Sequence, residues 1–231
     1  MERDNNKNIT VLQSKRGVRH FLTYSVWKCI LDRVLSLIAL VGSLPFLALI
    51  AIGITLDSPG SPIFAQERVG KDGRRFVAYK FRTMFTNNDD SKYKAYLTKY
   101  VLENAAYEID QNGQGIYKVV DNHQVTRFGH LLRKSNLDEL PQLFNVLKGE
   151  MSLVGPRPDV PFAVDMYQDW HRERLSVPPG ITGLWQVKQR RNLSFDDMVR
   201  FDIEYIKRQS MLLDAKILLL TAKAVLRGDG S

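Results

Sequence analysis

Residues 34–56 read VLSLIALVGSLPFLALIAIGITL, an uncharged apolar run with Gly42, Ser43 and Pro45 near its middle. A membrane-spanning helix needs about 20 apolar residues, so length alone would allow this run to cross a bilayer. Pro45 lacks a backbone donor, however, and its ring crowds the carbonyl of Val41, which kinks or breaks a helix. The run therefore either crosses the membrane as a kinked helix or enters it and turns back.

The charges beside this run favour a return. Lys and Arg in short segments next to a membrane helix tend to stay in the cytoplasm, and a single span would separate two basic flanks. We therefore predict a re-entrant helix-break-helix hairpin over residues 25–56, broken at Leu44 and Pro45. Each half of the apolar run 34–56, about 11–12 residues, would be roughly 16–18 Å long at 1.5 Å per residue, enough for one leaflet. A kinked span stays the alternative, since proline is tolerated in membrane helices. The flanking cations are Lys15, Arg16, Arg19, Lys28 and Arg33 upstream, and Arg68, Lys71, Arg74, Arg75, Lys80 and Arg82 downstream.

The composition narrows the class of protein. The 231 residues include 33 Lys and Arg against 25 Asp and Glu, a net charge of +8. Such a charge suits an anionic membrane surface, a phosphate-rich substrate or nucleic acid, and the apolar run favours the first two. No zinc, helix-turn-helix or RNA-binding pattern is present, so we predict no nucleic-acid partner. The single cysteine, Cys29, rules out an intrachain disulfide.

The remaining sequence predicts a mainly helical α/β protein in three parts: a basic N-terminal arm (1–24), the membrane hairpin (25–56) and a catalytic domain (57–231). Proline- and glycine-rich residues 177–187 are expected to form a surface loop. The expected elements of the domain are strands Ile63–Arg68 and Arg75–Phe81 around a turn at 70–73, a helix over about 90–106, a helix stopped by Gly149, a helix opened by a capping box at Ser194 and Asp197 and running to about Arg208, and an interfacial helix from Met211 to Leu226.

Asp138 and Glu139 are the main candidates for chemistry. Adjacent carboxylates can bind Mg²⁺ through oxygen, and one of them can attack an electrophile. Spacing alone favours a plainer interpretation, in which Ser135 and Asp138 form a capping box at a helix N-terminus. The two interpretations are compatible, because a helix N-terminus also attracts phosphate.

Several cations could neutralise a phosphorylated substrate. Arg157 lies between two prolines, which limit its backbone freedom, and arginine offers a planar fork to phosphate oxygens. The plainer interpretation of each of these cations is a solvated surface charge. P-loop, dinucleotide-binding and serine-hydrolase motifs are absent, and the residues together predict a membrane-docked site for a phosphorylated amphiphile. The other candidate binding residues are Lys80, Arg82, Arg133 and Asp202.

Four blocks give the chain a family resemblance that extends from about Tyr24 to Gly228. It resembles the bacterial sugar transferases, which are monotopic polyprenyl-phosphate phosphoglycosyl transferases. The blocks are YKFRTM at 79–84, LRKSNLDELPQL at 132–143, NVLKGEMSLVGPRP at 145–158 and PGITGLWQV at 179–187.

The resemblance implies transfer of a sugar 1-phosphate from a UDP-sugar to undecaprenyl phosphate, with release of UMP, as the first membrane step of a surface glycan. It places the hairpin in the bacterial inner membrane among lipids, with both ends and the catalytic domain cytoplasmic, and leaves a homodimer open. Asp138 matches the family's nucleophile, which forms a phosphosugar-aspartyl intermediate. Glu139 completes the dyad and helps with Mg²⁺ or proton handling, while Lys80, Arg133 and Arg157 neutralise phosphate charge.

The chain also departs from the family pattern. Many members have Ser-Pro at the hairpin break, where this chain has Leu44-Pro45 with Ser43 one position earlier. Residues 189–192, Gln-Arg-Arg-Asn, replace a usual Gly-Arg, and the segment 85–126 is longer than in the smallest members. The donor sugar therefore cannot be assigned. Two further alternatives stay open: a bitopic membrane protein that only binds ligands, and a metal-free mechanism.

Overall fold

The computed structural model describes residues 2–85, 91–106, 108–109, 115–116, 124–188 and 193–227, and the side chains of all but 2–22, 92, 108–109 and 115–116 among them. The predicted departure at 189–192 lies outside these residues, as does much of the long segment 85–126. The elements are α1 (Glu2–Asp57), β1 (Ile63–Val69), β2 (Arg75–Phe81), α2 (Ser91–Glu103), β3 (Glu108–Ile109), β4 (Gly115–Ile116), α3 (Arg127–Ser135), α4 (Gln142–Lys148), β5 (Ser152–Val154), α5 (Pro161–Val164), β6 (Gly180–Thr182), α6 (Leu184–Lys188), α7 (Phe195–Arg208) and α8 (Met211–Leu226), with 3₁₀ turns at Lys71–Gly73, Leu137–Glu139 and Asp169–Ser176. The described protein is mainly helical with small sheets.

Helix α1 is continuous where the sequence predicts a break. It runs through Leu44 and Pro45 as one helix and also includes most of the segment predicted as an arm. Proline has a helical φ and removes one hydrogen bond, which neighbouring polar groups can offset in an apolar helix. Ser43 donates to the carbonyl of Leu40 at 3.2 Å, just before Pro45. The structure therefore does not confirm the helix-break-helix hairpin.

The apolar part of α1 is largely exposed. Residues Thr23–Asp57 are long and apolar enough to cross a membrane, and their most apolar window has a mean hydropathy of 2.6 and is only 11% buried. Leu37, Ile38 and Leu49 are among the large side chains that face outward. An exposed apolar surface of this extent indicates association with a membrane.

The upstream half of α1 is attached to the domain through a buried polar network. Tyr24 donates a hydrogen bond to Asp214 of α8 at 2.8 Å, and Lys28 forms an ion pair with the same carboxylate at 2.8 Å. Ser152 of β5 donates to Asp32 at 2.6 Å. These contacts fasten the chain before the apolar run to β5 and α8.

The downstream half of α1 is attached to a different part of the same domain. Ile50 and Ile54 pack with Phe81 and Leu132 in one buried cluster. Asp57, the last residue of α1, accepts a hydrogen bond from the backbone amide of Phe128 at 3.0 Å. Both ends of the apolar run are therefore tied to one folded domain.

The domain itself confirms most predicted elements. Strands β1 and β2 form the expected antiparallel hairpin, with Phe64 opposite Lys80 and Arg68 opposite Phe76. Helix α4 stops at Gly149, which has a positive φ of 79°. Helix α7 ends at Arg208 as predicted.

The prediction that residues 177–187 form a surface loop is wrong. Its residues include β6, which pairs in parallel with β5, and helix α6. A side chain at Gly180 would collide with the backbone of Gly155, so glycine is required for this close approach. The glycines of this segment therefore allow two distant parts of the chain to pack closely in the interior.

Candidate functional site

Glu139 is held by two cations in the half-buried centre of the candidate site. Its Oε1 lies 2.6 Å from Lys80 Nζ and 2.6 Å from an Arg157 guanidinium nitrogen. The other Arg157 nitrogen donates to Oε2 at 3.4 Å. Burial alone would raise the pKa of Glu139, but Arg157 and Lys80 outweigh it and hold that pKa well below its ordinary value. Glu139 is therefore a fixed anion, poorly suited to carry a proton.

Asp138 differs from its neighbour. It is half-buried, and within the described residues it forms no ion pair. Burial, the largest influence, raises the pKa of Asp138 above its ordinary value, against the opposing charge of Lys80. The site thus contains one carboxylate fixed by two cations and a second that remains available.

The turn that carries both carboxylates forms where α3 ends. Asn136 takes a left-handed conformation with φ of 54° and caps α3, and Leu137–Glu139 continue as a 3₁₀ turn. The predicted capping box is wrong, because Ser135 donates back to the carbonyls of Leu131 and Leu132 instead of capping a helix with Asp138. The abrupt change from helix to turn leaves Asp138 half-buried and brings Glu139 within 2.6 Å of Lys80 on β2.

Lys80 is positioned by a fully buried amide. Asn145 of α4 accepts from the amide of Tyr79 at 3.1 Å and donates to the carbonyl of Val77 at 2.7 Å. It also donates to Glu150 at 2.7 Å, so its polar groups are satisfied. Because buried polar groups are costly unless bonded, this arrangement fixes β2, and with it Lys80, against α4.

Arg133 is a third cation close enough to Asp138 for their charges to interact. It is half-buried, and its Nε donates to Thr83 Oγ1 at 3.0 Å. Burial lowers the pKa of Arg133, and the nearby charge of Asp138 opposes this. Lys80, Arg133 and Arg157 thus all lie near the carboxylate pair, and their binding of phosphate stays a prediction.

Two predicted binding residues have other partners. Arg82 is buried, and its guanidinium donates to the carbonyls of Ser58 at 2.7 Å and of Pro59, where the chain leaves α1. Asp202 is paired with Arg174 at 2.6 Å, and both side chains are 1% exposed. Neither side chain is open to a substrate, so we correct the predicted binding roles of Arg82 and Asp202 to structural ones.

Arg174 connects Asp202 to the site. It donates to the carbonyl of Arg157 at 2.9 Å and to Asp159 at 2.7 Å. The amide of Gly155 donates to Thr182 at 2.9 Å, so the Arg157 segment is held on two sides. Sequence reasoning missed Arg174 and Asn145, since only the fold places them beside the Arg157 and Lys80 backbones.

The residues present fit Mg²⁺ only in part. No group of three or more His, Cys, Asp or Glu side chains is placed to hold a metal ion in the described chain. Mg²⁺ in phosphoryl-transfer sites is commonly held by one or two carboxylates together with substrate phosphates. Asp138 fits that pattern, whereas Lys80 and Arg157 already occupy Glu139.

Comparisons with known proteins all lead to one family. The family model for bacterial sugar transferases matches residues 23–228. An undecaprenyl-phosphate galactose phosphotransferase of Salmonella typhimurium is 40% identical over 87% of this chain and 40% of its own length. A UDP-glucose:undecaprenyl-phosphate glucose-1-phosphate transferase of Xanthomonas campestris is 37% identical over 91% of this chain and 41% of its own. The exopolysaccharide production protein ExoY of Sinorhizobium fredii is 37% identical over 87% of this chain and 85% of its own.

These relatives differ in length. The chain spans about two fifths of the galactose and glucose phosphotransferases, but most of the exopolysaccharide production protein. The shared part contains the carboxylate pair and its surrounding cations.

Proposed function

The chain belongs to the bacterial sugar transferase family, and on that basis we propose that it transfers a sugar 1-phosphate from a UDP-sugar to undecaprenyl phosphate. The products would be undecaprenyl-diphosphate-sugar and UMP, and the step would begin synthesis of a surface glycan. The observation that carries the proposal is the difference between the two carboxylates, with Glu139 bound by Lys80 and Arg157 and Asp138 left without an ion pair in the described chain.

The proposed reaction has two displacements at phosphorus. A carboxylate oxygen of Asp138 attacks the β-phosphorus of the donor, and the bond from that phosphorus to the bridging oxygen breaks. UMP leaves with this oxygen and its electron pair. A phosphate oxygen of undecaprenyl phosphate then attacks the aspartyl-bound phosphorus, and Asp138 leaves as a carboxylate.

The cations would stabilise the charge that moves between these groups. Positioning and electrostatic stabilisation dominate phosphoryl transfer, and preorganised charges need little rearrangement during the reaction. Glu139 would keep Lys80 and Arg157 in place, and the low pKa of Glu139 favours this role over proton transfer. Arg133 would contribute further positive charge near Asp138.

Mg²⁺ is the proposed cofactor. Asp138 would hold it together with substrate phosphates, and Glu139 would be a weaker ligand because its oxygens already contact two cations. When bound, the ion would neutralise part of the diphosphate charge. Full turnover in EDTA would remove it from the proposal.

The attachments of α1 support a monotopic arrangement as part of the proposal. Asp32 bonds to Ser152 and Asp57 bonds to Phe128, so both ends of the apolar run lie beside one domain. A bilayer core is about 30 Å thick, and a single crossing would separate these ends. We therefore place α1 in the cytoplasmic leaflet, with the exposed Leu212 and Leu219 of α8 at the headgroups.

The test is release of UMP by the purified chain in detergent or nanodiscs with undecaprenyl phosphate and a panel of UDP-sugars. We expect turnover with at least one sugar and its loss in Asp138→Asn. Incubation with sugar-labelled donor alone should label the wild type covalently but not Asp138→Asn. Asp72→Asn, an exposed change in the β1–β2 turn, is the matched control. Turnover that survives Asp138→Asn would refute the proposed nucleophile, and a wild type inactive with every sugar would refute the activity.

A further inference from the structure

Arg68 is a half-buried cation that the proposed mechanism does not use. One guanidinium nitrogen donates to the carbonyl of Pro158 at 3.2 Å, and the other donates to the side-chain oxygen of Gln66 at 2.5 Å. Both acceptors are neutral. Among the described residues, no carboxylate oxygen lies within 4.0 Å of an Arg68 guanidinium nitrogen, the limit for an ion pair. The nearby Asp159 instead binds Arg174 and Tyr167.

The described residues therefore compensate the charge of Arg68 only in part. Burial, the largest influence, lowers the pKa of Arg68, while Tyr93 and Asp159 oppose this effect and the charge of Arg157 adds to it. Partial burial of a cation is costly unless an anion or hydrogen-bond acceptors replace water. A bound anion between Arg68 and Arg157 would supply the missing charge.

The strand register places Arg68 beside the candidate site. Residues directly opposite each other in an antiparallel pair share a face, as do residues two apart on a strand. Phe64 opposite Lys80 and Arg68 opposite Phe76 therefore place Arg68 and Lys80 on the same face of the hairpin. Arg68 contacts Pro158, the residue next to Arg157, and Lys80 contacts Glu139, which Arg157 also binds, so both cations lie near Arg157.

Arg68 is also the cation farther from α1. Phe81, next to Lys80, packs against Ile50 and Ile54 of α1. Arg68 lies four residues beyond the Lys80 partner Phe64, or about 13 Å along the strand at about 3.3 Å per residue. With α1 in the membrane as proposed above, a lipid phosphate would enter from the α1 side, and a water-soluble nucleotide would reach the opposite end of the hairpin.

We propose that Arg68 binds the nucleoside-side phosphate of the donor's diphosphate, the group that leaves as the nucleoside monophosphate. The inference rests on the proposed function. In this proposal Lys80 and Arg157 bind the phosphate that is transferred, and Arg68 binds the phosphate that leaves. Arginine suits this role because its fork can hold two phosphate oxygens while keeping a fixed geometry.

The test compares Arg68→Met and Arg68→Lys with Arg75→Met, which removes an exposed arginine from the same hairpin. Affinity for UDP is measured by titration calorimetry on the full chain, and KM is measured separately for the UDP-sugar and for undecaprenyl phosphate. We expect Arg68→Met to weaken UDP binding and raise the donor KM about 10-fold or more, with acceptor KM within about twofold. Arg68→Lys should fall between, and Arg75→Met should match the wild type.

Unchanged UDP affinity and donor KM in Arg68→Met would overturn the inference, as would a rise confined to the KM for undecaprenyl phosphate, which would assign Arg68 to the lipid. If Arg68→Met does not fold, Arg68→Gln keeps a donor to Pro158 without the charge and carries the same expectation. The two proposals fail separately: UDP binding that depends on Arg68 in a chain inactive with every UDP-sugar would refute the proposed activity and support the phosphate contact.

Discussion

Arg174 and Asp202 form an ion pair of 2.6 Å in which both side chains are 1% exposed. Arg174 also donates to the carbonyl of Arg157 at 2.9 Å. The pair therefore fixes the backbone of the residue that holds Glu139, although neither side chain reaches the carboxylate pair.

Asp202→Asn should destabilise the protein and slow the reaction. This change removes one of the two carboxylates paired with Arg174 and leaves Asp159 at 2.7 Å, so the loss should stay below about 3–5 kcal/mol, the cost typical of a buried charge without any partner. Arg174 would shift, and Arg157 with it, so kcat should fall together with the free energy of unfolding. Denaturation curves and UMP release measure the two effects.

Glu204→Gln is the matched control for this change, because Glu204 lies on the same helix and its pair with Arg208 is largely exposed. Its effect on stability should stay below about 1 kcal/mol. An Asp202→Asn protein as stable and as active as this control would show that the buried pair does not support the site.

Glu139→Gln should lower kcat strongly while leaving the fold intact. Lys80 and Arg157 share one oxygen of Glu139, and a neutral amide would hold these two cations less tightly. Misplaced charge stabilisation commonly costs about 100-fold in kcat. Single-turnover UMP release checks this, with Glu67→Gln on the exposed hairpin edge as control. A loss below about threefold would mean that Glu139 does not position the cations.

Arg82 shows where sequence patterns stop being informative. Lys80 and Arg82 alternate with apolar residues and look equivalent in sequence, yet Lys80 reaches Glu139 and Arg82 binds carbonyls at the end of α1. The strand ends at Phe81, one residue before Arg82. The groups that bind Arg82 are backbone carbonyls of residues 58–60, which any residue type supplies. The sequence predicts which cations are present but not which carbonyls the fold brings to them.

The contribution of His171 to the stability of the fold should rise with pH through the range in which this side chain titrates. The amide of Gln168 donates to His171 Nδ1 at 3.1 Å, so that nitrogen must be unprotonated, and burial lowers the pKa of His171 below its ordinary value. The unfolded chain takes up a proton near pH 6.5 that the folded chain does not, so acid favours unfolding. We expect the contribution of His171 to the melting temperature to increase between about pH 5 and pH 7.

The comparison with His171→Gln isolates this contribution, because other titrating groups are common to both proteins. The difference in melting temperature between wild type and variant should grow with pH across the same range. A difference that is constant with pH would show that His171 titrates alike in the folded and unfolded chains.

Both flanks of the apolar run should be accessible from one side of the membrane. The native Cys29 is exposed before the run, and Ser61, exposed after it, can be changed to cysteine in a Cys29→Ser background. A membrane-impermeant maleimide should label both positions in inverted vesicles and neither in intact cells. Labelling from opposite sides would establish a single crossing.

The elements differ in how far their sequence determines them. The β1–β2 hairpin and α7 follow from local alternation and a serine cap, so their prediction is confirmed. Residues 177–187 form buried structure because Gly180 lies against Gly155, a contact between distant segments. In the site, the adjacency of Asp138 and Glu139 is visible in sequence, while their unequal ion pairing depends on Lys80 and Arg157.

The two attachments of α1 also limit how the enzyme can respond to its membrane. A free apolar helix adapts to a thicker or thinner bilayer by tilting. Here Lys28 is paired with Asp214 before the run, and Asp57 is bonded to Phe128 after it, so tilt of α1 would have to carry the whole domain along. With α1 in one leaflet, as proposed, a change in bilayer thickness would have little effect on the height of Asp138 above the hydrocarbon.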